Sequence, residues 1–134
     1  MSEFKERISD KEIKEEVTVK TVKFAEDFGR YLAQKEGGEP LTTSQLRKFF
    51  GEVKHQQMKG CYIESEFVML KPKLAYAVGR AKKNSKIKDF YDVMSDAIDK
   101  VTQSSDKEKA FKNFISVFEA IVAYHKKYEN SNNI

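Results

Sequence analysis

The sequence predicts an all-α protein: a compact bundle of about five helices, with a short extra helix at the N-terminus as an open option. Three observations predict it. Apolar residues recur at three- and four-residue steps along most of the chain. Two stretches read as capping boxes at helix starts. Two prolines and six glycines among 134 residues are too few for a turn-rich all-β chain.

Taken in order, the N-terminal segment is the least regular. Ile13, Val17, Phe24, Ala25, Phe28, Tyr31 and Leu32 fit one helix face, whereas 17–22 alternates like a strand. The Glu- and Lys-rich flanks and the lack of a second strand nearby favour helix. Gly37-Gly38-Glu39-Pro40 ends that helix in a loop. Thr42 to Gln45 forms a capping box, with Leu41 and Leu46 placed as a hydrophobic staple. Leu46, Phe49, Phe50 and Val53 continue the helix it opens. Residues 59–67 read as a connection. Pro72 suits the first turn of a helix running to about Lys83. Ile87, Phe90, Tyr91, Met94, Ala97, Ile98 and Val101 give the clearest periodicity, with Asp89, Asp92, Asp96 and Asp99 on the solvated face. Ser105 to Glu108 reads as a second capping box. The last helix then carries Phe111, Phe114, Ile115, Phe118, Ile121, Val122 and His125 on its apolar face.

The length suits a single domain, 1–134, with residues 1–12 and 129–134 as candidates for flexible ends. One cysteine, Cys61, excludes an internal disulfide and points to a reducing compartment. The charged N-terminus lacks a signal-peptide core, and no apolar run reaches membrane-spanning length, so the expectation is a cytoplasmic protein without a membrane partner.

Charge is distributed unevenly. Residues 67–88 hold seven lysines and arginines and no acid, in a chain whose net charge is +4. Such a field suits an acidic partner, of which phosphate backbone is the commonest; the alternative is a solvated lysine face that serves solubility. At about 100° per residue, Lys73 and Arg80 share a helix face, with Ala77 between them and Tyr76 and Lys83 on its flank. Arg47 and Lys54 repeat that spacing on the preceding helix, near Gly51. Two helices with cations two turns apart can track a sugar-phosphate backbone, or can border the core with their alkyl stems. Tyr76 is either a stacking platform or a structural ring beside the core. Lys86 and Lys88, beside a helix start, read as solvated.

Little in the sequence supports a catalytic site. Two histidines seventy residues apart and a lone cysteine do not make a metal site. No Gly-rich phosphate loop, carboxylate pair or Ser-His-Asp order is present. A hydrolase built on Cys61 and His55 is the third reading after a phosphate-backbone-binding module and a helical adaptor. His125 reads as a packed or subunit-contacting histidine, and no cofactor is expected.

Three stretches together closely resemble the small subunit of the type III-A CRISPR effector, the Csm complex. They are Leu41 to Phe49 (Leu-Thr-Thr-Ser-Gln-Leu-Arg-Lys-Phe), Leu70 to Arg80 (Leu-Lys-Pro-Lys-Leu-Ala-Tyr-Ala-Val-Gly-Arg) and Phe114 to Tyr128. The match spans about residues 41–128, and the middle stretch is the most specific; residues 1–38 match only as a helical segment. The resemblance implies an all-helical, non-catalytic antiviral-defence subunit that stacks in a filament beside the guide-bearing subunits. It implies contacts to target RNA and guide RNA through sugar and phosphate, with base pairing supplying specificity. It also implies association with other Csm subunits and with copies of itself, a dimer in isolation being one form of the latter. The RNA contacts carried over are Arg47, Lys71, Lys73 and Arg80. Lys54 and Lys83 join them from helical geometry alone. The alternative is a purely structural adaptor whose basic face meets an acidic protein partner.

Overall fold

The computed structural model describes Phe4 and residues 10–132. Seven helices are named within them: α1 (Asp10–Lys14), α2 (Val19–Ala33), α3 (Thr43–Met58), α4 (Glu64–Phe67), α5 (Leu70–Arg80), α6 (Ile87–Thr102) and α7 (Lys107–Asn132). No strand occurs among the described residues, and the only β-type pairing among them is an isolated bridge between Glu39 and Ser85. The expected all-α bundle is therefore what forms, with five long helices and two short ones.

The long α7 organises the core because its apolar residues bury against four other helices. Phe111, Phe114, Ile115, Phe118 and Ile121 are all buried, and α7 packs on α1, α2, α3 and α6, most extensively on α2. Phe118 meets Phe49 edge-on at 5.2 Å and Phe90 at 5.9 Å, which ties α3 and α6 to α7. Burying one such ring contributes roughly 1.5–3 kcal/mol from its area alone. Phe4 packs on Phe28 at 5.0 Å, so the N-terminal side of the bundle is aromatic as well. The buried apolar residues form one continuous cluster.

Local signals and structure agree at α3. Thr42 N–H donates to Gln45 Oε1 (2.9 Å), and Gln45 N–H donates back to Thr42 Oγ1 (3.1 Å). Leu41 and Leu46 are buried as the staple requires. Elsewhere the structure corrects the sequence. The alternating segment 17–22 is split: Thr18 N–H donates to Thr21 Oγ1 (2.9 Å) and α2 starts at Val19. The last helix is capped one residue later than expected, by Asp106, whose Oδ1 accepts from Lys109 N–H at 3.1 Å. Glu108 is drawn away to the Tyr62 amide, 2.6 Å off. The connection 59–67 contains the short α4, and its Phe67 is fully buried against Phe111 and Phe114. Helix α5 stops at Arg80 rather than near Lys83, because Ala81 turns extended.

The loop between α5 and α6 is held by the loop after α2, and this tether takes the chain out of the helical path. Asn84 carbonyl accepts from Glu39 N–H, and Lys86 N–H donates to Glu39 carbonyl, each at 2.9 Å. Gly38 makes the approach possible: it sits at φ +148°, and a Cβ there would lie 2.6 Å from the Asn84 carbonyl oxygen.

The flexible-end expectation for 1–12 and 129–134 falls largely outside the described residues. Of those segments, Phe4 and Glu12 are buried, and Glu129 accepts from the Thr43 hydroxyl.

Candidate nucleic-acid interface

Helices α3 and α5 lie side by side and leave a groove between them of about 700 Å3, open to solvent on one side. Its floor is apolar, made by Leu41, Phe49, Leu74, Ala77, Ile87 and Phe90. Its rim is charged: Lys48 and Glu52 come from α3, and Lys73 and Arg80 from α5. Leu74 anchors α5 to the core, which leaves Lys73, Tyr76 and Arg80 on the groove side of that helix. Pro72 in the first turn costs no internal hydrogen bond there.

The electrostatics of the rim are those of an exposed surface. Lys73 Nζ lies 2.7 Å from Glu52 Oε1, an ion pair joining the two helices across the groove. Both partners are accessible, so the pair contributes on the order of 0–1 kcal/mol and is easily exchanged for a competing anion. The Arg80 guanidinium sits 5.6 Å from the Tyr76 ring centroid, one turn apart on α5. Tyr76 is 67% exposed, which separates it from the core tyrosines.

The expected cations do not all converge. Lys73 and Arg80 share the groove as the helical spacing requires. Arg47 is exposed on α3 but does not line the groove; its neighbour Lys48 does. Lys54 reaches the other way, to Glu119 of α7 at 2.9 Å, and lies 5.6 Å from the Phe50 ring centroid. Lys71 pairs with Asp99 of α6 at 2.7 Å. Lys83 is exposed in the loop after α5. The basic stretch is thus partly an inter-helix ion-pair system and partly an open rim.

Lys86 is a plain correction. It is not solvated but buried, with Nζ donating to the carbonyls of Tyr31 (2.6 Å) and Gln34 (2.5 Å) and lying 4.1 Å from the Tyr31 ring centroid. It satisfies the orphan carbonyls at the end of α2. Burial pulls its pKa down, with Asp89 and Glu36 opposing. The aspartates of α6 are likewise more engaged than a solvated face implies. Asp89 accepts from the Tyr31 hydroxyl at 2.5 Å, Asp96 pairs with Lys100, and Asp99 holds Lys71.

His125 is packed: buried in α7, it donates from Nε2 to the Leu41 carbonyl at 2.7 Å. Cys61 and His55 are both exposed and neither lines the groove. Among the described residues no three His, Cys, Asp or Glu side chains are grouped to hold a metal, and no helix is long and apolar enough to cross a membrane.

Comparison with known proteins agrees with the motif resemblance and extends it towards the N-terminus. A family model, Csm2 Type III-A, matches residues 15–131. No curated protein and no solved structure matches the chain. The family match takes in α2, the loop tied to residues 84–86 and both walls of the groove, so the chain belongs to the Csm2 Type III-A family and is a small subunit of the type III-A Csm effector complex.

Proposed function

We propose that the chain is a non-catalytic, single-domain subunit that acts in the cytoplasm. It stacks with copies of itself and binds target RNA and the guide–target duplex through the sugar-phosphate backbone. The observation that carries this is the placement of Lys48, Lys73 and Arg80 around one open groove, contributed by two helices. Cations so arranged neutralise successive phosphates without reading bases. Arg47 and Lys83 are exposed and add to the field, while Lys54 and Lys71 become available when phosphate displaces their carboxylates. No cofactor is needed for this work.

The test is RNA binding by the assembled Csm complex carrying Lys73→Glu with Arg80→Glu, across a salt series. Each lost single-strand phosphate contact should lower the slope of log affinity on log salt by about 0.7. Unchanged affinity and slope with unchanged helicity would remove these residues from the RNA path.

A second reading, a structural adaptor for an acidic protein, has one observation in its favour. Lys54, Lys71 and Lys73 already meet carboxylates of neighbouring helices, the kind of pairing an acidic partner would extend. Charge reversal that blocks assembly but spares RNA contact would select it.

A further inference from the structure

Resting on the backbone-binding reading, we propose that the α3–α5 groove takes a nucleobase turned out of an RNA strand, while its flanking phosphates sit on the rim at Lys48, Lys73 and Arg80.

The groove is poorly matched to ribose phosphate alone. Sugar and phosphate are hydrophilic and gain nothing from a floor of Leu41, Phe49, Leu74 and Phe90. A concave apolar floor ringed by a few charges is the usual form of a small-ligand site, and about 700 Å3 lies within the range such sites occupy. A base with its ribose fits that space, and the planar heterocycle is the part of RNA that gains from leaving water.

One wall of the groove is suited to a planar guest. Tyr76 projects into solvent at the lip, and the Arg80 guanidinium lies by its ring. An exposed tyrosine beside an arginine offers a stacking surface that any base can use, since every base has a π-face. Base capture here therefore needs no sequence preference and agrees with specificity supplied by guide pairing. Ala77, on the floor between Lys73 and Arg80, is a small side chain and leaves room there for a ring. An acidic amphipathic protein segment would use the rim cations, Arg80 among them, and the floor, but has no need of the exposed Tyr76 ring.

The test uses the full-length protein with two probes: a single-stranded RNA carrying 2-aminopurine, and a base-free ribose-phosphate strand of the same length. The base-bearing strand should bind about tenfold more tightly, with its fluorescence quenched by stacking. Tyr76→Ala and the groove-filling Ala77→Leu should each abolish that advantage with helicity intact, and Tyr76→Phe should retain it. Equal, salt-dependent binding of both strands would overturn base capture and leave the backbone reading standing. No RNA binding at low salt, alone or in the assembled complex, would overturn both. Capture of an acidic peptide, blocked by Ala77→Leu but indifferent to Tyr76→Ala, would assign the groove to protein.

Discussion

Glu52 holds Lys73 across the mouth of the α3–α5 groove, carboxylate to ammonium at 2.7 Å. The pair links the helices that form the walls, and it places a negative charge where a phosphate is expected to arrive. Stability and binding therefore make opposite demands on Glu52.

Their sizes are unequal. An exposed pair adds at most about 1 kcal/mol to stability, whereas a carboxylate facing an incoming phosphate opposes it at every encounter. Glu52→Gln should leave the thermal midpoint within a few degrees of the parent and tighten RNA binding about three- to tenfold at low salt. The gain should shrink as salt is raised. A titration of labelled RNA at two salt concentrations decides it; weaker binding by Glu52→Gln would mean that the carboxylate positions Lys73 rather than competes for it.

The close crossing of α2 and α7 gives a second prediction. A Cβ on Gly29 would lie 2.9 Å from His125 N, from Ile121 O and from Tyr124 Cβ. These are main-chain and near-main-chain atoms of α7, so the helices themselves must part. Gly29→Ala should destabilise by about 1–3 kcal/mol as an overpacking change. Gly79 is the control: it lies within α5 and a Cβ there meets nothing within 4 Å. Gly79→Ala should stabilise by about 0.5–1 kcal/mol. Urea denaturation of both variants gives the comparison, and equal effects would refute the close approach.

Range along the chain decides which parts of the fold can be read from sequence. The Thr42–Gln45 box, the Leu41–Leu46 staple and the apolar stripe of α6 depend on residues within a turn or two, and they form as read. The cap of α7 shifts from Ser105 to Asp106 because Glu108, the partner the expected box needs, is taken by the amide of Tyr62, 46 residues before it. Lys48 rather than Arg47 lines the groove because one position along a helix is about 100° of rotation, and the position of α5 decides which side is in use. Lys86 reads as solvated in the sequence because its partners are carbonyls more than fifty residues earlier, and main-chain acceptors leave no mark in side-chain chemistry. Gly29 does leave one: a glycine inside a helical pattern signals close packing.

Lys86 itself carries the third prediction. Its ammonium serves the Tyr31 and Gln34 carbonyls at the end of α2, and hydrogen bonds of a charged group contribute about 1.5–3 kcal/mol each, a gain that the burial of the ion reduces. Lys86→Met keeps most of the aliphatic volume and removes the donor, so a net loss of about 2 kcal/mol at neutral pH is expected. The pH dependence has a definite sign. Burial lowers the folded pKa, so the folded chain releases this proton before the unfolded chain does. Between the folded pKa and the ordinary lysine value the unfolded state binds more protons, and stability rises with pH. The advantage of the parent over Lys86→Met should therefore widen towards alkaline pH. Chemical denaturation of both proteins at neutral and alkaline pH reads the difference, and a narrowing gap would mean that folding favours the charged form and would contradict the lowered pKa.

Tyr62 should act in the opposite direction. Its ring packs on Phe67 at 5.4 Å and on Phe111 at 5.6 Å, and its hydroxyl donates to Glu64 at 3.3 Å. Burial first, then the negative charge of Glu64 and its hydrogen bond, push the phenol up to about 12. The unfolded chain loses the same proton near the ordinary value of about 10. Between those values the folded state binds more protons, so stability falls as pH rises. Tyr62→Phe keeps the ring contacts and removes the titrating group. It should cost little at neutral pH, where only a long and exposed hydrogen bond is lost. At about pH 11 the parent should have lost more of its neutral-pH stability than the variant has. Urea midpoints at neutral pH and near pH 11 supply the measurement. Parallel losses in the two proteins would show that the alkaline sensitivity arises elsewhere, whereas a flatter profile for Tyr62→Phe would place it in the aromatic cluster that joins α4 to α7.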